Sequence, residues 1–576
     1  MRKIKILMHR IIKAHLSSFA SSFGLEADDE ATQFEKFSAH CVISSQYTSG
    51  FDLDDVVTSI ADDGIDAIAI AIDEVVVCSS EDAIAAFGTA RRNHDVDVVF
   101  IQAKRSENFD LGEFLKFKEG VLRFVNQNPY TVTDDVLKEA REIFDVVVRE
   151  VPKLRNGRPT LTARFVTTGQ YQEPAALESA LRDFIAQLNE LGLFHTVDVR
   201  FIDRDELTKL WVGTYSGVEA SLPLFSSAAL PEITGIDEAY LAVVKASDFV
   251  NNLLVTREGS LRAQVFEENV RSFLGEENAV NASISATIES EGASRFPVLN
   301  NGITIVCPDI RLQGTTLHLI NYQIVNGCQT SNVLFRNKER LGNVMVNIKV
   351  VKTKHEDVFA ELVRATNSQS KVDDAQFLSL KPIVRNVEHY FNTYEGNESR
   401  LYLERRDRQY VGLEVPAIRI FSLNNAARCV AAMWLNRPEL ASRYTKQMYA
   451  ELQDGMFADS IKESVYYAAC LTMYRFNLLV SNGTIPKNMK RFKWHMLTLS
   501  RALICETEAL MPLNSKNAEN SAQKIIAIMG QHGPAATEVF NKIVATCQSL
   551  GEISADRLKR QAILQEMISA LRLATS

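Results

Sequence analysis

The sequence predicts a multidomain α/β protein with an α/β sandwich first, a mixed α+β core in the middle and a helical region last. Apolar β-rich runs alternate with amphipathic helical patterns up to about residue 215, which favours stacked layers of helices and strands. Short apolar runs separated by polar turns fill the centre, and helical periodicity dominates the last third. We place the domains at residues 1–215, 236–415 and 416–576, with a Ser- and Pro-containing segment between the first two.

The composition is that of an ordinary globular protein. The chain has 576 residues, of which 46% are hydrophobic and 23% charged, and its formal net charge is -9. This acidic balance excludes a basic footprint over the whole chain, so any nucleic-acid groove must be a local patch. Eight cysteines without a C-x-x-C pair argue against a disulfide framework and favour a reducing compartment.

The chain shows no sign of a membrane segment. No run approaches the roughly 18 apolar residues of a membrane span. The basic, amphipathic start, MRKIKILMHRIIKAHLSSF, lacks the long apolar core and cleavage site of a targeting peptide, so we read it as a first helix. We expect a cytoplasmic protein.

The N-terminal elements follow in a simple order. Residues 1–45 predict two helices, and GIDAIAIAID predicts the first strand. Asp73-Glu74 is typical of a hairpin turn, with a return strand over residues 75–78. A capped helical insertion precedes a third strand at residues 96–103, and helix, strand, helix, strand complete the sandwich.

Polar side chains occur where buried strands should be apolar. Asp66 lies at the start of the first strand, and Gln102 and Lys104 lie near the end of the third. Residues two apart on a strand point to the same face, so Gln102 and Lys104 project together. Burying them without partners would be costly. They are explained if they line a site for a divalent cation and a phosphate.

These residues resemble the PD-(D/E)XK nuclease superfamily, more narrowly its Mrr-like branch. The matching pieces are Gly64-Ile65-Asp66 and Phe100-Ile101-Gln102-Ala103-Lys104. The resemblance implies that Asp66 and Gln102 hold Mg²⁺ or Mn²⁺, that Glu35 on an upstream helix is a further ligand, and that Lys104 assists the attacking water. Gln102 departs from the commoner acid, and an amide oxygen is a weaker ligand. A surface aspartate beside a snorkelling lysine is the alternative.

The central region carries two Asn-Gly motifs. Asn301 with Gly302, and Asn326 with Gly327, are first of all turn formers. INYQIVNGCQTSNVLF further predicts a strand, a turn and a helix whose first turn carries Gln329 and Thr330. Free N–H groups at a helix start bind phosphate, and amide or hydroxyl side chains add contacts to a base or sugar. We therefore take Asn301, Asn326, Gly327, Gln329 and Thr330 as candidate ligand-binding residues, with ordinary turns as the alternative.

The succession of central motifs resembles the AIPR (abortive infection phage resistance) family. FEENVRSFLG, FPVLNNGITI, IVNGCQTSNVLF, ATNSQSKV and YLERRDRQY occur in order between about residues 240 and 530. The resemblance implies an anti-phage defence protein, often with an N-terminal restriction-endonuclease-like domain. The Asn-Gly-x-Gln-Thr turn also loosely resembles the loops of ParB-like domains, which implies a nucleotide as a ligand to consider.

Two basic segments are candidates for contacting nucleic acid. SRLYLERRDRQY interleaves arginines with tyrosines, a pattern typical of backbone binding. Intramolecular ion pairs and snorkelling lysines explain both segments about equally well. The candidate residues are Arg405, Arg406 and Arg408 in the first segment and Lys490 and Arg491 in the second.

These observations predict a Mg²⁺- or Mn²⁺-dependent endonuclease that acts on DNA and is controlled by the central module. The alternative is a catalytically inactive nucleic-acid-binding or sensor protein of an abortive infection system, which Gln102 keeps open. The apolar faces of the last helices suit a helical bundle or a homo-oligomer contact. No membrane partner is expected.

Overall fold

The computed structural model describes most of the chain. The described residues are 8–47, 51–59, 64–88, 93–127, 130–215, 219–255, 261–266, 279–367, 378, 381–396, 399–405, 409–410, 413, 415–443, 445–531, 534–551, 553–558 and 560–575. They pack as two compact units: residues 1–214 together with 381–576, and residues 215–380. The division into three domains made above stays a prediction.

The N-terminal part of the first unit alternates helices with strands, as the sequence predicts. The helices are α1 (Arg10–Phe23), α2 (Glu30–Gln46), α3 (Leu53–Val56), α4 (Ser80–Phe87), α5 (Leu111–Asn126), α6 (Asp135–Arg149), α7 (Ala175–Glu190) and α8 (Arg204–Tyr215). The strands are β1 (Ala67–Ile72), β2 (Val75–Val77), β3 (Val96–Lys104), β4 (Thr160–Thr167) and β5 (Thr196–Ile202).

These five strands form one mixed sheet in the order β2-β1-β3-β4-β5. Strand β1 is antiparallel to both β2 and β3, whereas β3, β4 and β5 run parallel. The predicted hairpin turn is confirmed: Asp73 and Glu74 both have positive φ, 53° and 70°, and Ile72 lies opposite Val75. Two central residues with positive φ give the turn a twist that matches that of the strands.

Helices cover both faces of this sheet because β3 is apolar on both sides. Val98 and Phe100 pack with the core formed by α5, α6 and α7. Val99 and Ile101 point to the opposite face and pack with α1 and α2. Such two-sided burial is typical of strands in the middle of an α/β sheet. Gln102 and Lys104 lie at the C-terminal end of β3.

The second unit contains two further sheets. The strands are β6 (Glu219–Pro223), β7 (Ser226–Ala229), β8 (Glu238–Lys245), β9 (Ile303–Cys307), β10 (Asp309–Gln313), β11 (Thr316–Ile320), β12 (Gln323–Asn326) and β13 (Met345–Lys352). The helices are α9 (Ala246–Phe249), α10 (Ala279–Glu289), α11 (Phe296–Leu299), α12 (Cys328–Arg336) and α13 (Glu356–Asn367). The sheet orders are β10-β11-β6 and β12-β9-β13-β8-β7.

The C-terminal part of the first unit is mainly helical, as predicted. Its helices are α14 (Pro382–Asn392), α15 (Leu423–Leu435), α16 (Pro438–Arg443), α17 (Thr445–Met456), α18 (Glu463–Ser481), α19 (Lys493–Cys505), α20 (Lys516–Met529), α21 (Pro534–Ser549), α22 (Ala555–Leu558) and α23 (Gln561–Thr575). Two short parallel strands, β14 (Tyr402–Glu404) and β15 (Ile420–Ser422), precede α15. Helices α15, α18 and α19 pack together around Trp434, whose indole N–H donates to the Val465 carbonyl.

The fold is therefore mixed α/β with a helical C-terminal region, which confirms the coarse prediction. All eight cysteines are free thiols, so disulfides play no part in holding it together. None of the helices in the described parts of the chain combines the length and apolarity needed to cross a bilayer.

Candidate functional site

Asp66 lies immediately before β1 and is fixed by the backbone around it. Its N–H donates to the Ile101 carbonyl at 2.9 Å, and its own carbonyl accepts from the Thr58 N–H at 3.0 Å. The residue is only 2% exposed. Its Oδ2 accepts the Ala103 N–H at 2.8 Å, which holds the carboxylate against the end of β3. Burial raises the pKa of Asp66, and the positive charge of Lys104 opposes that rise.

Gln102 faces Asp66 across the two antiparallel strands, as predicted. Because Ala67 pairs with Ile101, the residue before Ala67 lies beside the residue after Ile101. Gln102 Nε2 donates to Asp66 Oδ2 at 2.7 Å, and Gln102 is 1% exposed. Its Oε1 is buried and has no hydrogen-bond partner. A buried amide oxygen without a partner is costly, which makes it the notable feature of this site.

Lys104 completes this group at the end of β3. Its Nζ lies 3.9 Å from Asp66 Oδ2 and 3.2 Å from Glu113 Oε2. The side chain is 29% exposed, so the ammonium can be reached from solvent while Asp66 cannot. Sequence reasoning missed Glu113. Asp110, whose carboxylate caps α5 by accepting the Glu113 N–H, signals a helix start but not the contact with Lys104.

Glu35 on α2 is electrostatically coupled to the same group. Burial and, after it, the negative charge of Asp66 raise the pKa of Glu35, the positive charge of Lys104 opposes the rise, and the resulting pKa is about 7. Helix α2 packs on β1 and β3 through Phe34 and Phe37, which leaves Glu35 half-buried beside that apolar stripe. A carboxyl group of this kind titrates close to neutral pH.

The donor set fits a hard divalent cation. Two carboxylates, Asp66 and Glu35, and the unpartnered Oε1 of Gln102 are oxygen donors of the type that Mg²⁺ prefers. The set includes only two acids: within the described residues no three Asp, Glu, His or Cys side chains are grouped as metal ligands. Gln102 would therefore supply the third protein donor.

The second Asn-Gly motif forms the predicted strand, turn and helix. Strand β12 ends at Asn326, Gly327 has φ +92°, and α12 starts at Cys328. A Cβ on Gly327 would lie 2.8 Å from Ile303 Cγ1 and 3.1 Å from Ile303 Cα. Glycine is thus required here both by the backbone conformation and by the close approach of β9.

Two of the candidate ligand residues of this region, Gln329 and Thr330, accept hydrogen bonds from nearby asparagines. Asn281 Nδ2 donates to Gln329 Oε1 at 2.9 Å, and Asn300 Nδ2 donates to Thr330 Oγ1 at 3.2 Å. Thr330 is 6% exposed, whereas Asn301 is exposed. Asn326 is half-buried at the end of β12. These hydrogen bonds give the polar residues of the motif a structural role, and the binding of a nucleotide by them stays a prediction.

The first basic segment is only partly described. Arg405 is 9% exposed, and its Nε donates to Glu388 Oε2 at 2.5 Å. Its guanidinium is thus engaged inside the protein, and its contact with nucleic acid stays a prediction. The intramolecular ion pair that we weighed as the alternative is the one observed. Arg406 and Arg408 lie outside the described residues.

The second basic segment differs between its two candidates. Lys490 Nζ lies 3.2 Å from Asp54 Oδ2, so its charge is matched within the first unit. The contact of Lys490 with nucleic acid stays a prediction. Arg491 is exposed and its guanidinium lies 5.0 Å from the centroid of the Phe492 ring. Arg491 remains available to an anion.

Lys490 belongs to a larger group that we call the lysine–aspartate cluster. Lys36, 8% exposed, contacts Asp28 at 3.1 Å and Asp54 at 2.8 Å. Burial disfavours its charge, yet Asp54 and Asp28 hold the pKa of Lys36 above its ordinary value. Sequence reasoning missed this group because residues 28–54 pair with residues 487–493, which are hundreds of positions away in the sequence. Its members are Asp28, Lys36, Asp52, Asp54, Lys487, Lys490 and Lys493.

Comparison with known proteins gave one match. The family described as AIPR protein matches residues 266–553, which is half of the chain. No curated protein and no solved structure matches the chain. The family resemblance drawn from the central motifs is thereby confirmed, and the nuclease resemblance of the N-terminal part stays a prediction.

Proposed function

The chain belongs to the AIPR family, and from that premise we propose that it is an anti-phage defence protein of the abortive infection type that acts as a Mg²⁺- or Mn²⁺-dependent endonuclease on DNA. Family membership supports the defence role. The convergence of Asp66, Gln102 and Lys104 at one end of the N-terminal sheet supports the nuclease activity.

The arrangement supplies what phosphodiester hydrolysis needs. Water attacks phosphorus, the bond from phosphorus to one ester oxygen breaks, and that oxygen leaves as an alcohol after gaining a proton. Lys104 is partly exposed and can hold the water or stabilise the negative charge that develops on the phosphoryl oxygens. The attacking water gives its proton to solvent. Glu35, with a pKa of about 7, is partly ionised at neutral pH and is in that form available as a ligand of the cation.

Asp66, Gln102 and Glu35 would hold the cation. The unpartnered Oε1 of Gln102 is the observation that favours this assignment, because a buried acceptor needs a partner. A bound Mg²⁺ or Mn²⁺ would supply Lewis acidity and would lower the pKa of coordinated water. DNA is the proposed substrate because the strand motifs resemble the Mrr-like branch of restriction-type nucleases.

A second candidate function is a sensor that binds nucleic acid without cutting it. The observation that favours it is the hydrogen bond from Gln102 Nε2 to Asp66 Oδ2, which satisfies the carboxylate without a metal. A donor set with only two acids also binds Mg²⁺ more weakly than one with three.

Plasmid cleavage by the purified full-length chain with Mg²⁺ or Mn²⁺ tests the proposal. Lys104→Ala and Asp66→Asn are the informative variants, because the first removes an exposed ammonium and the second keeps the shape of a buried side chain. Lys138→Ala is the matched control, since Lys138 lies on α6 in an exposed ion pair with Asp135. We expect Lys104→Ala to lose roughly 100-fold or more in rate, the usual effect of removing one group that stabilises transition-state charge.

The outcomes separate the two candidate functions. Cleavage that requires the cation and falls in both site variants, but not in Lys138→Ala, supports the nuclease. DNA binding without cleavage under every metal condition supports the sensor. Cleavage that both site variants retain in full removes the assignment of this site.

A further inference from the structure

The second unit contains an open cleft that the proposed nuclease activity does not use. Its volume is about 630 Å³, and it lies between the exposed face of the β10-β11-β6 sheet and the residues Asn251, Asn252 and Arg262. Small-ligand sites are commonly about 300–1,000 Å³ in volume. The lining residues that matter here are Ser221, Asn251, Asn252, Arg262, Arg311 and His318.

One wall of the cleft is a row of polar side chains across three strands. Arg311 lies directly opposite His318, and His318 lies directly opposite Ser221. Residues in register on neighbouring strands share a face, so these three side chains form one line. The neighbouring positions Ile310 and Leu319 point to the other face and are buried in the core, which fixes the register.

Two of these side chains present donors to the cleft. The Arg311 side chain is 77% exposed, and its Nε keeps only a long contact of 3.8 Å with Asp309. That carboxylate is also held at 3.1 Å by Lys352, so it does not neutralise Arg311 alone. Ser221 Oγ and His318 Nδ1 lie 2.9 Å apart, which fixes the imidazole ring and leaves its other nitrogen for a ligand.

Arg262 is anchored on the other wall. Its Nε donates to the Val255 carbonyl at 3.0 Å, and its Nη1 lies 3.4 Å from both the Glu219 carbonyl and Tyr322 Oη. Tyr322 is fully buried and donates to the Leu253 carbonyl at 2.7 Å. These three partners are uncharged oxygens, so they orient the guanidinium without neutralising its positive charge, which suits phosphate recognition.

The cleft also contains an irregular backbone segment. Val250–Leu254 is a π-helical turn closed by the Val255 N–H bonding to the Val250 carbonyl at 3.0 Å. It carries Asn251, which is exposed, and Asn252, whose Nδ2 donates to the Asp248 carbonyl at 2.8 Å. Single π-helical turns are rare and often occur at functional sites. The turn brings two amides to the same cleft as the two arginines.

We infer that this cleft binds the phosphate of a nucleotide-class ligand, with Arg262 and Arg311 on the phosphate and the asparagines on the sugar or base. The residues that line the cleft include two arginines and a histidine but only one acid, Glu219, although the net charge of the whole chain is -9. Glu219 is exposed and lines the cleft, and its carboxylate can accept hydrogen bonds from sugar hydroxyls, which favours a nucleotide over inorganic phosphate. The site lies in a different compact unit from Asp66 and does not depend on the nuclease proposal.

Binding measured by calorimetry on the full-length chain tests this inference. The probes are ATP and a 5′-phosphorylated oligothymidylate, both titrated in EDTA so that the nuclease site holds no metal. Arg311→Gln is the main variant because its exposed side chain can change without loss of folding, and Arg262→Gln is the second. Arg295→Gln is the matched control, an exposed arginine of the same unit that does not line the cleft.

We expect Arg311→Gln and Arg262→Gln each to weaken binding at least about tenfold, as the loss of a charge-assisted contact predicts, while Arg295→Gln binds like the unchanged chain. Tighter binding of ATP identifies a free nucleotide as the source of the phosphate, and tighter binding of the oligonucleotide identifies a strand end. The inference is wrong if neither probe binds, or if Arg311→Gln binds both as tightly as Arg295→Gln does.

Discussion

The change Gln102→Glu gives the most direct test of the candidate metal site. Gln102 Nε2 now donates to Asp66 Oδ2 at 2.7 Å, and both side chains are almost fully buried. A glutamate at this position removes the donor and places a second carboxylate against the first. We expect the metal-free protein to lose stability and a divalent cation to restore it.

The size of the loss follows from two contributions. A hydrogen bond to a charged group contributes about 1.5–3 kcal/mol. Two like charges about 4 Å apart repel by roughly 4 kcal/mol at an effective dielectric constant of 20, a cost that proton uptake by one carboxyl limits. We therefore expect the free energy of unfolding to fall by about 3–5 kcal/mol near pH 8. Near pH 5 most of the lost free energy of unfolding should return, because the introduced glutamate, once protonated, can donate a hydrogen bond to Asp66.

Urea unfolding at both pH values, with EDTA or with millimolar Mn²⁺, measures this. Mn²⁺ should stabilise Gln102→Glu more than the unchanged chain, because a cation relieves the repulsion and binds only the folded state. Gln102→Met is the control: it loses the same hydrogen bond without adding charge, so neither acid nor Mn²⁺ should rescue it. Equal stability of Gln102→Glu and the unchanged chain in EDTA near pH 8 would refute the reasoning.

Three further predictions concern single side chains. Because the pKa of Glu35 is raised from 4.5 to about 7 in the folded chain, its protonation stabilises the folded state, and this stability is lost as the pH rises through about 7. Glu35→Gln should remove this pH dependence, which amounts to about 1 kcal/mol in the free energy of unfolding after solvent screening. An unchanged pH profile in urea titrations would contradict the prediction. Lys36→Met should lower the free energy of unfolding by about 2–3 kcal/mol, because it removes a buried lysine that two half-buried acids, Asp28 and Asp54, share as a partner. The exposed Lys138→Met should cost less than about 0.5 kcal/mol. Equal losses in the two variants would argue against the lysine–aspartate cluster. Gly327→Ala should lower the free energy of unfolding by about 2–4 kcal/mol, and Gly314→Ala should lower it by about 1 kcal/mol. Both glycines have positive φ, but only Gly327 lacks room for a Cβ. Similar unfolding midpoints for the two variants would contradict this.

Local patterns predicted much of the fold. The hairpin at Asp73-Glu74 and the turn at Gly327 follow from backbone rules that act within four residues, and both were correctly predicted. The approach of Gln102 to Asp66 was predictable too, because two neighbouring antiparallel strands bring their ends together.

Features that depend on distant parts of the chain could not be predicted. The partners of Arg405 and Lys490, which are Glu388 and Asp54, were not predicted because sequence shows a charge but not its partner. Glu113 reaches Lys104 only after α5 packs on the sheet. The cleft with Arg262 and Arg311 combines residues from five separate segments of the second unit, and none of these segments carries a recognisable motif.

The lysine–aspartate cluster has a consequence for how this protein is made. Asp54 meets Lys490 across 436 positions of sequence, and the whole 215–380 unit is synthesised between them. A ribosome must therefore translate most of the message before Asp28, Asp52 and Asp54 gain their last ionic contacts. On a nascent or prematurely terminated chain, the charges of Asp28, Asp52 and Asp54 therefore lack the lysine partners that residues 487–493 supply.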